Sequence, residues 1–275
     1  MRMMMGALML LAPLAANAAE GHDAAGHDMA AMAMPAAGET SPTVRAEIAT
    51  VGELVAGQPV SLTLTLRDQY GRPVRPNDVD IIHTKPVHLF VVDGSLSDYH
   101  HLHPVPGARD GEWVAGFTPK KTAYKAWVEV QPTGQDDQFV PVQIGGVIPH
   151  PSAIGRDNVL TATAGGLRFT LTLAMPPVAG QGTLAIVNVY DDQGVPVTSL
   201  EPIMGAYAHL VGIDGGLESL MHIHPSGAEP DGPDSRGGPV MNFQLMPRTH
   251  GMHKLFLQVV NQGRLITAAF TVGVD

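Results

Sequence analysis

Six of the chain's 13 histidines stand in two matched groups, His88, His101 and His103, then His209, His222 and His224. Both groups read His-x12-His-x-His-Pro, and in both the first histidine is followed by Leu, an apolar run and Asp-Gly. Neutral imidazole ligates Cu, Zn, Ni and Fe at about 2.0–2.1 Å, so three converging rings would make a metal site. Ligation needs the neutral ring, so affinity should fall as pH drops through about 6.5.

The elements that must bring these rings together are hairpins. Val87 to Val92 is rich in β-branched and aromatic residues and stops at Asp93-Gly94-Ser95; the second copy stops at Asp214-Gly215-Gly216. A two-residue loop there predicts His88 opposite His101 and His209 opposite His222, with opposed Cβ atoms roughly 5 Å apart. His103 and His224 then lie diagonally on the same face, because side chains alternate along a strand. The proline after each His-x-His ends the pairing. A repeated hairpin packed for structure alone is the competing explanation of the pattern.

The two hairpins sit in a longer repeat. Val60 to Leu66 and Leu167 to Leu173 alternate apolar and polar residues, and Asp68 to Gly71 parallels Asp191 to Gly194. Short strands about ten residues apart, punctuated by Gly and Pro, indicate an all-β chain of two tandem Ig-like antiparallel β-sandwich domains. The expected boundaries are a signal peptide at 1–18, a disordered His/Met-containing tail at 19–42, domain 1 at 43–146, a linker at 147–156 and domain 2 at 157–275. The signal rests on Arg2, the apolar run Met3 to Leu14 and the small residues around Asn17. Its run is too short to span a bilayer, so no membrane span is expected in the mature chain. Aligning Lys125 with Lys254 sets Tyr124 against His253. The extra donors His250, Met252 and His253 therefore make the second repeat the better candidate site, with Met204 and Met221 as further possibilities and core packing as the alternative for Met221.

Composition narrows the function. Lys and Arg number 16 against 26 Asp and Glu, a formal net charge of −10, which disfavours nucleic acid and anionic membranes as partners. There is no cysteine. An exported chain of this kind has only His, Met and carboxylates as ligands. No nucleophile elbow or phosphate loop occurs, and no carboxylate stands beside the histidines in a recognisable base arrangement, so an enzyme is not expected.

Lys85 to Val92 through His101-Leu102-His103-Pro104, and Gly205 to Val211 through His222-Ile223-His224-Pro225, resemble bacterial secreted Ig-like domains found beside heavy-metal systems. Lys254 to Gln258 and Thr267 to Val272 extend that resemblance. It implies an Ig-like sandwich in the cell envelope and an association with copper or other heavy metals. The resulting expectation is a periplasmic or secreted copper-binding protein, zinc being the other candidate ion, that sequesters the metal or delivers it to an envelope metal-transport protein. The alternatives are a metal-free Ig-like adaptor of an envelope complex and, third, a His-ligated metalloenzyme.

Overall fold

A computed structural model describes residues 32–33, 41–148 and 154–275. The expected signal peptide, most of the tail, the middle of the linker and His150 lie outside the described residues.

The chain is all-β, with one short 3-10 turn at Pro76–Asp78. After a two-residue strand β1 (Met32–Ala33), domain 1 runs through β2 (Val44–Val51), β3 (Val60–Asp68), β4 (His88–Asp93), β5 (Tyr99–Leu102), β6 (Val105–Pro106), β7 (Glu112–Phe117), β8 (Ala123–Val130) and β9 (Gln138–Gly145). Domain 2 follows with β10 (Thr161–Ala164), β11 (Leu167–Leu173), β12 (Thr183–Tyr190), β13 (His209–Asp214), β14 (Leu220–Ile223), β15 (Val240–Leu245), β16 (Gly251–Asn261) and β17 (Arg264–Val274).

Domain 1 pairs its strands in the orders β2-β3-β7-β6 and β5-β4-β8-β9. These are the A-B-E-D and C′-C-F-G orders of an immunoglobulin sandwich. Domain 2 has β10-β11-β12-β15 and, behind β1, β14-β13-β16-β17. The strand carrying each first histidine is central in its sheet in both domains, and the strand carrying the second is its neighbour.

Three apolar clusters hold the molecule together. One fills each sandwich: Leu64, Leu89, Trp113 and Val128 in domain 1, and Phe169, Leu210, Phe243 and Leu257 in domain 2. The third joins the domains, with Phe90, Val92, Leu96 and Trp127 packed against Val211, Ile213, Leu217 and Phe256. Strands β4 and β13 are therefore buried on both faces, all six residues of each. That is why they read as unbroken apolar runs and not as alternations. Full burial of one such side chain stabilises by about 1.5–3 kcal/mol, so this interface resembles a core more than a transient contact.

The hairpin loops correct the expected register. Phe90 pairs with His101 and Val211 with His222, two positions away from the two-residue-loop prediction. Each loop holds four residues, closed by Asp93 N to Asp98 O in domain 1 and by Asp214 N to Ser219 O in domain 2. An aspartate organises each: Asp93 Oδ1 accepts from the amides of Ser97 and Asp98, and Asp214 Oδ1 from those of Glu218 and Ser219. The left-handed residue is Leu96 (φ 54°) or Leu217 (φ 58°), not the glycine, and both leucines are buried in the domain interface. A shift of two residues preserves the face, since side chains alternate with period two, so the histidines still converge.

Candidate metal centre at the domain interface

On β4, Leu89 and Val91 enter the domain 1 core, while His88, Phe90 and Val92 face domain 2. Likewise Leu210 enters the domain 2 core, and His209, Val211 and Ile213 face domain 1. Both histidine faces therefore meet across the interface. Ring centroids of His101 and His209 are 5.8 Å apart, and those of His88 and His222 are 5.5 Å apart. His83, from the turn before β4, reaches to 3.5 Å from His224 and 5.1 Å from His222.

The contacts repeat with an approximate two-fold relation. His88 Nε2–H donates to the Ile82 carbonyl at 2.9 Å, and His209 Nε2–H to the Ile203 carbonyl at 3.0 Å. Both carbonyls belong to two-residue turns, His83-Thr84 and Met204-Gly205, whose residues all have positive φ (48° and 70°, 48° and 80°). A β-branched threonine at φ 70° is strained, and it keeps His83 at the tip of its turn against the other domain.

The second histidine of each hairpin is oriented from across the interface. His101 Nδ1–H donates to Gln258 Oε1 at 3.1 Å, and His222 Nδ1–H to Glu129 Oε2 at 2.9 Å. Glu129 lies directly across β4/β8 from His88, and Gln258 directly across β13/β16 from His209. Each of the four rings thus gives its outer proton to an acceptor. Its inner nitrogen is left with a lone pair, and these inner nitrogens face each other: His88 Nδ1 to His101 Nε2 at 3.0 Å, and His209 Nδ1 to His222 Nε2 at 3.0 Å. A proton on one of the two nitrogens, or a metal cation between them, satisfies such a pair. The acceptors behind the rings are the partners that fix tautomer and orientation at metal-ligating histidines.

The third histidines fit the same reading. His103 Nε2 and His224 Nε2 are buried and, among the described residues, have no hydrogen-bond partner. One ligand atom each from His88, His101 and His103 lies within 4.8 Å of the other two; the same holds for His101, His209 and His222, and for His83, Glu129 and His222. These His clusters can hold a metal ion. His88, His209, His222 and Glu129 are buried, while His83, His101, His103 and His224 are partly accessible.

Burial, reinforced by neighbouring rings, favours the neutral form of His83, His101, His103, His209, His222 and His224. Desolvation holds His83 and His103 down to about 4 and His209 to about 3, and it places His101, His222 and His224 well below the usual imidazole value. The Glu129 carboxyl is raised, chiefly by burial, with Asp137 beside it.

Not every expected ligand arrives. His253 points into the domain 2 sandwich, along with Leu255 and Leu257 on the same face of β16. It does the job that Tyr124 does in domain 1. Tyr124 Oη accepts from the amides of Lys120 and Lys121 and donates to Asp98, a tyrosine corner at the start of the F strand. His253 instead contacts Thr249 Oγ1 at 3.2 Å and the Gly251 carbonyl at 3.3 Å. His250 is exposed and Met252 only partly buried, and among the described residues His250 joins none of these His/Glu groupings. Met221 is core: a Cβ on Gly212 would collide with its Cε. The sequence reading missed His83, Glu129 and Gln258. His83 stands at the position of Met204 in the repeat, and Glu129 at that of Gln258, so extending the alignment on Lys125 and Lys254 would have exposed the second pair.

A family model described as a domain of unknown function (DUF8832) matches residues 41–144 and again 162–275. The chain belongs to that family. Its two DUF8832 copies coincide with the two sandwiches, so the histidine cluster lies between copies. No curated protein matches. Two solved structures are similar over most of the chain: MtrC from Shewanella baltica OS185, at 8% identity, with 84% of this chain and 68% of that one covered and a TM-score of 0.23; and dimeric latent PorU from Porphyromonas gingivalis, at 12% identity, 85% and 24% coverage and a TM-score of 0.26. The DUF8832 pair spans about a quarter of that PorU chain, and neither likeness bears on the site. Among the described residues, no helix is long and apolar enough to cross a membrane.

Proposed function

We propose that this protein binds copper at the interdomain histidine centre and sequesters it or hands it on within the cell envelope. The observation that carries the reading is the pair of facing inner nitrogens, His88 Nδ1 with His101 Nε2 and His209 Nδ1 with His222 Nε2, each 3.0 Å apart, with a carbonyl, amide or carboxyl oxygen at the outer nitrogen of every ring. Bonds of about 2.0–2.1 Å to nitrogens at that spacing set an angle of about 95° at the ion, which suits tetragonal Cu(II) better than tetrahedral zinc. Imidazole-rich sites also favour Cu(II) over Zn(II) in intrinsic affinity. Placement in the envelope rests on the N-terminal leader pattern, and a metal-transport protein there is the partner that such a carrier would serve.

The test is a titration of the purified full chain with Cu(II) and with Zn(II), counting ions bound after dialysis, in wild type and in His101→Ala/His222→Ala. Tight copper binding lost in the double variant supports the reading. Ion binding that is absent in wild type, or unchanged by the substitutions, overturns it and leaves a metal-free interface. Preference for zinc retains the centre and replaces the cargo.

A further inference from the structure

The two halves of the centre are alike in geometry and unlike in charge. The domain 1 cluster, His88, His101 and His103, contains no carboxyl group, and the group behind His101 is the amide of Gln258. In the domain 2 cluster, the group behind His222 is the carboxylate of Glu129, with oxygens at 2.9 and 3.0 Å from Nδ1. That cluster also receives His83, whose counterpart in the repeat is Met204 at the same φ of 48°. His83, Glu129 and His222 bring ligand atoms within 4.8 Å of one another.

Charge decides what this difference does. A divalent ion among neutral imidazoles in a buried site leaves two positive charges uncompensated, and desolvating them is costly. A buried carboxylate cancels one. It also makes the ring it accepts from a stronger donor at the opposite nitrogen, and loss of such an outer partner typically weakens metal binding 10–100-fold. We infer that the centre takes two divalent cations in order, the domain 2 cluster first, and that position 129, with its counterpart 258, sets the order. The inference rests on the metal-binding reading above and adds to it which cluster fills first and which residue decides.

Stepwise calorimetric titration of the full chain with Cu(II), and separately with Zn(II), tests this, with circular dichroism as the control for folding. Wild type should show two resolved steps. Glu129→Gln keeps the shape and removes the charge; it should weaken the first step at least tenfold and leave the second in place, merging the two. Gln258→Glu should strengthen the second step toward the first. A single step of two equal ions in wild type, or steps that neither variant moves, would overturn the order while leaving copper binding intact. Wild type that binds no ion removes both. Should Glu129→Gln fail to fold, Gln258→Glu alone decides, since an unmoved second step in that variant contradicts the inference.

Discussion

Glu129 and Gln258 hold the same place in the two repeats, and each reaches across the domain interface to the ring of a histidine in the other repeat, His222 and His101 respectively. Neither half of the centre is therefore complete within its own domain. Docking through Phe90, Trp127, Val211 and Phe256 is what sets the ligands' protons in place. Four expectations follow from this arrangement.

Replacing His222 with alanine should be the most damaging single change to metal binding. Its ring pairs with His209, belongs to two of the three ligand groupings and is the one held by Glu129. Ions bound per chain should fall by one, with copper affinity at that cluster reduced at least 100-fold. Equilibrium dialysis with metal analysis reads both numbers.

His253→Ala should leave the count of bound ions unchanged and lower the stability of domain 2. The ring is buried and tied to Thr249 and Gly251, so its loss costs about 1–3 kcal/mol through unpaired groups and a cavity. Tyr124→Phe should do the same to domain 1, because Lys121 N loses its partner while Lys120 N and Asp98, which also bond each other, each lose one of theirs. Urea denaturation alongside metal analysis separates this structural role from ligation.

Copper should stabilise the chain. A ligand at 100 times its dissociation constant adds about 2.7 kcal/mol when only the folded state binds it. Scanning calorimetry should show a higher unfolding temperature with copper and its reversal on chelation. An unchanged temperature would mean that binding is not coupled to the docked state.

Acid should weaken the hairpins. Burial pushes the carboxyls of Asp93 and Asp98 up, but hydrogen bonds win: those from Ser95, Ser97 and the Asp98 amide at Asp93, and those from Tyr124, Lys120 and His100 at Asp98, hold both below the usual 3.8. A depressed carboxylate value means that the unfolded chain takes up protons first as pH falls. The stability these groups confer is thus present above about 4 and lost as pH drops through their folded values. Asp93→Asn should flatten the dependence of unfolding free energy on pH between about 5 and 2.5, measured in urea at each pH.

Much of this architecture is legible in the chain itself. Alternation in Val60 to Leu66, the Asp-x-x-Gly turns at Asp68 and Asp191, and the spacing of Gly and Pro define strands and turns through local sterics and side-chain periodicity. Those signals give two sandwiches in tandem. The His-x12-His-x-His spacing also fixes which rings share a face, because a strand alternates whatever the exact length of its turn. That is why a loop two residues longer than expected left the convergence intact.

Local sequence signals thus account for the repeat, the all-β fold and two sets of three histidines on matched hairpin faces. Only the tertiary structure decided that the two faces meet. The unbroken apolar runs of β4 and β13 mark strands buried on both sides, but periodicity does not say what covers the second side; packing of Phe90 and Trp127 against Val211 and Phe256 does. That docking recruited His83, Glu129 and Gln258 from positions remote in sequence, while packing within domain 2 placed His253 against Thr249 and Gly251. Hairpin pairing, as of β4 with β5 and β13 with β14, follows from neighbours along the chain. The choice of partners across an interface follows from the shape and charge of whole faces, which exist only once both domains have folded.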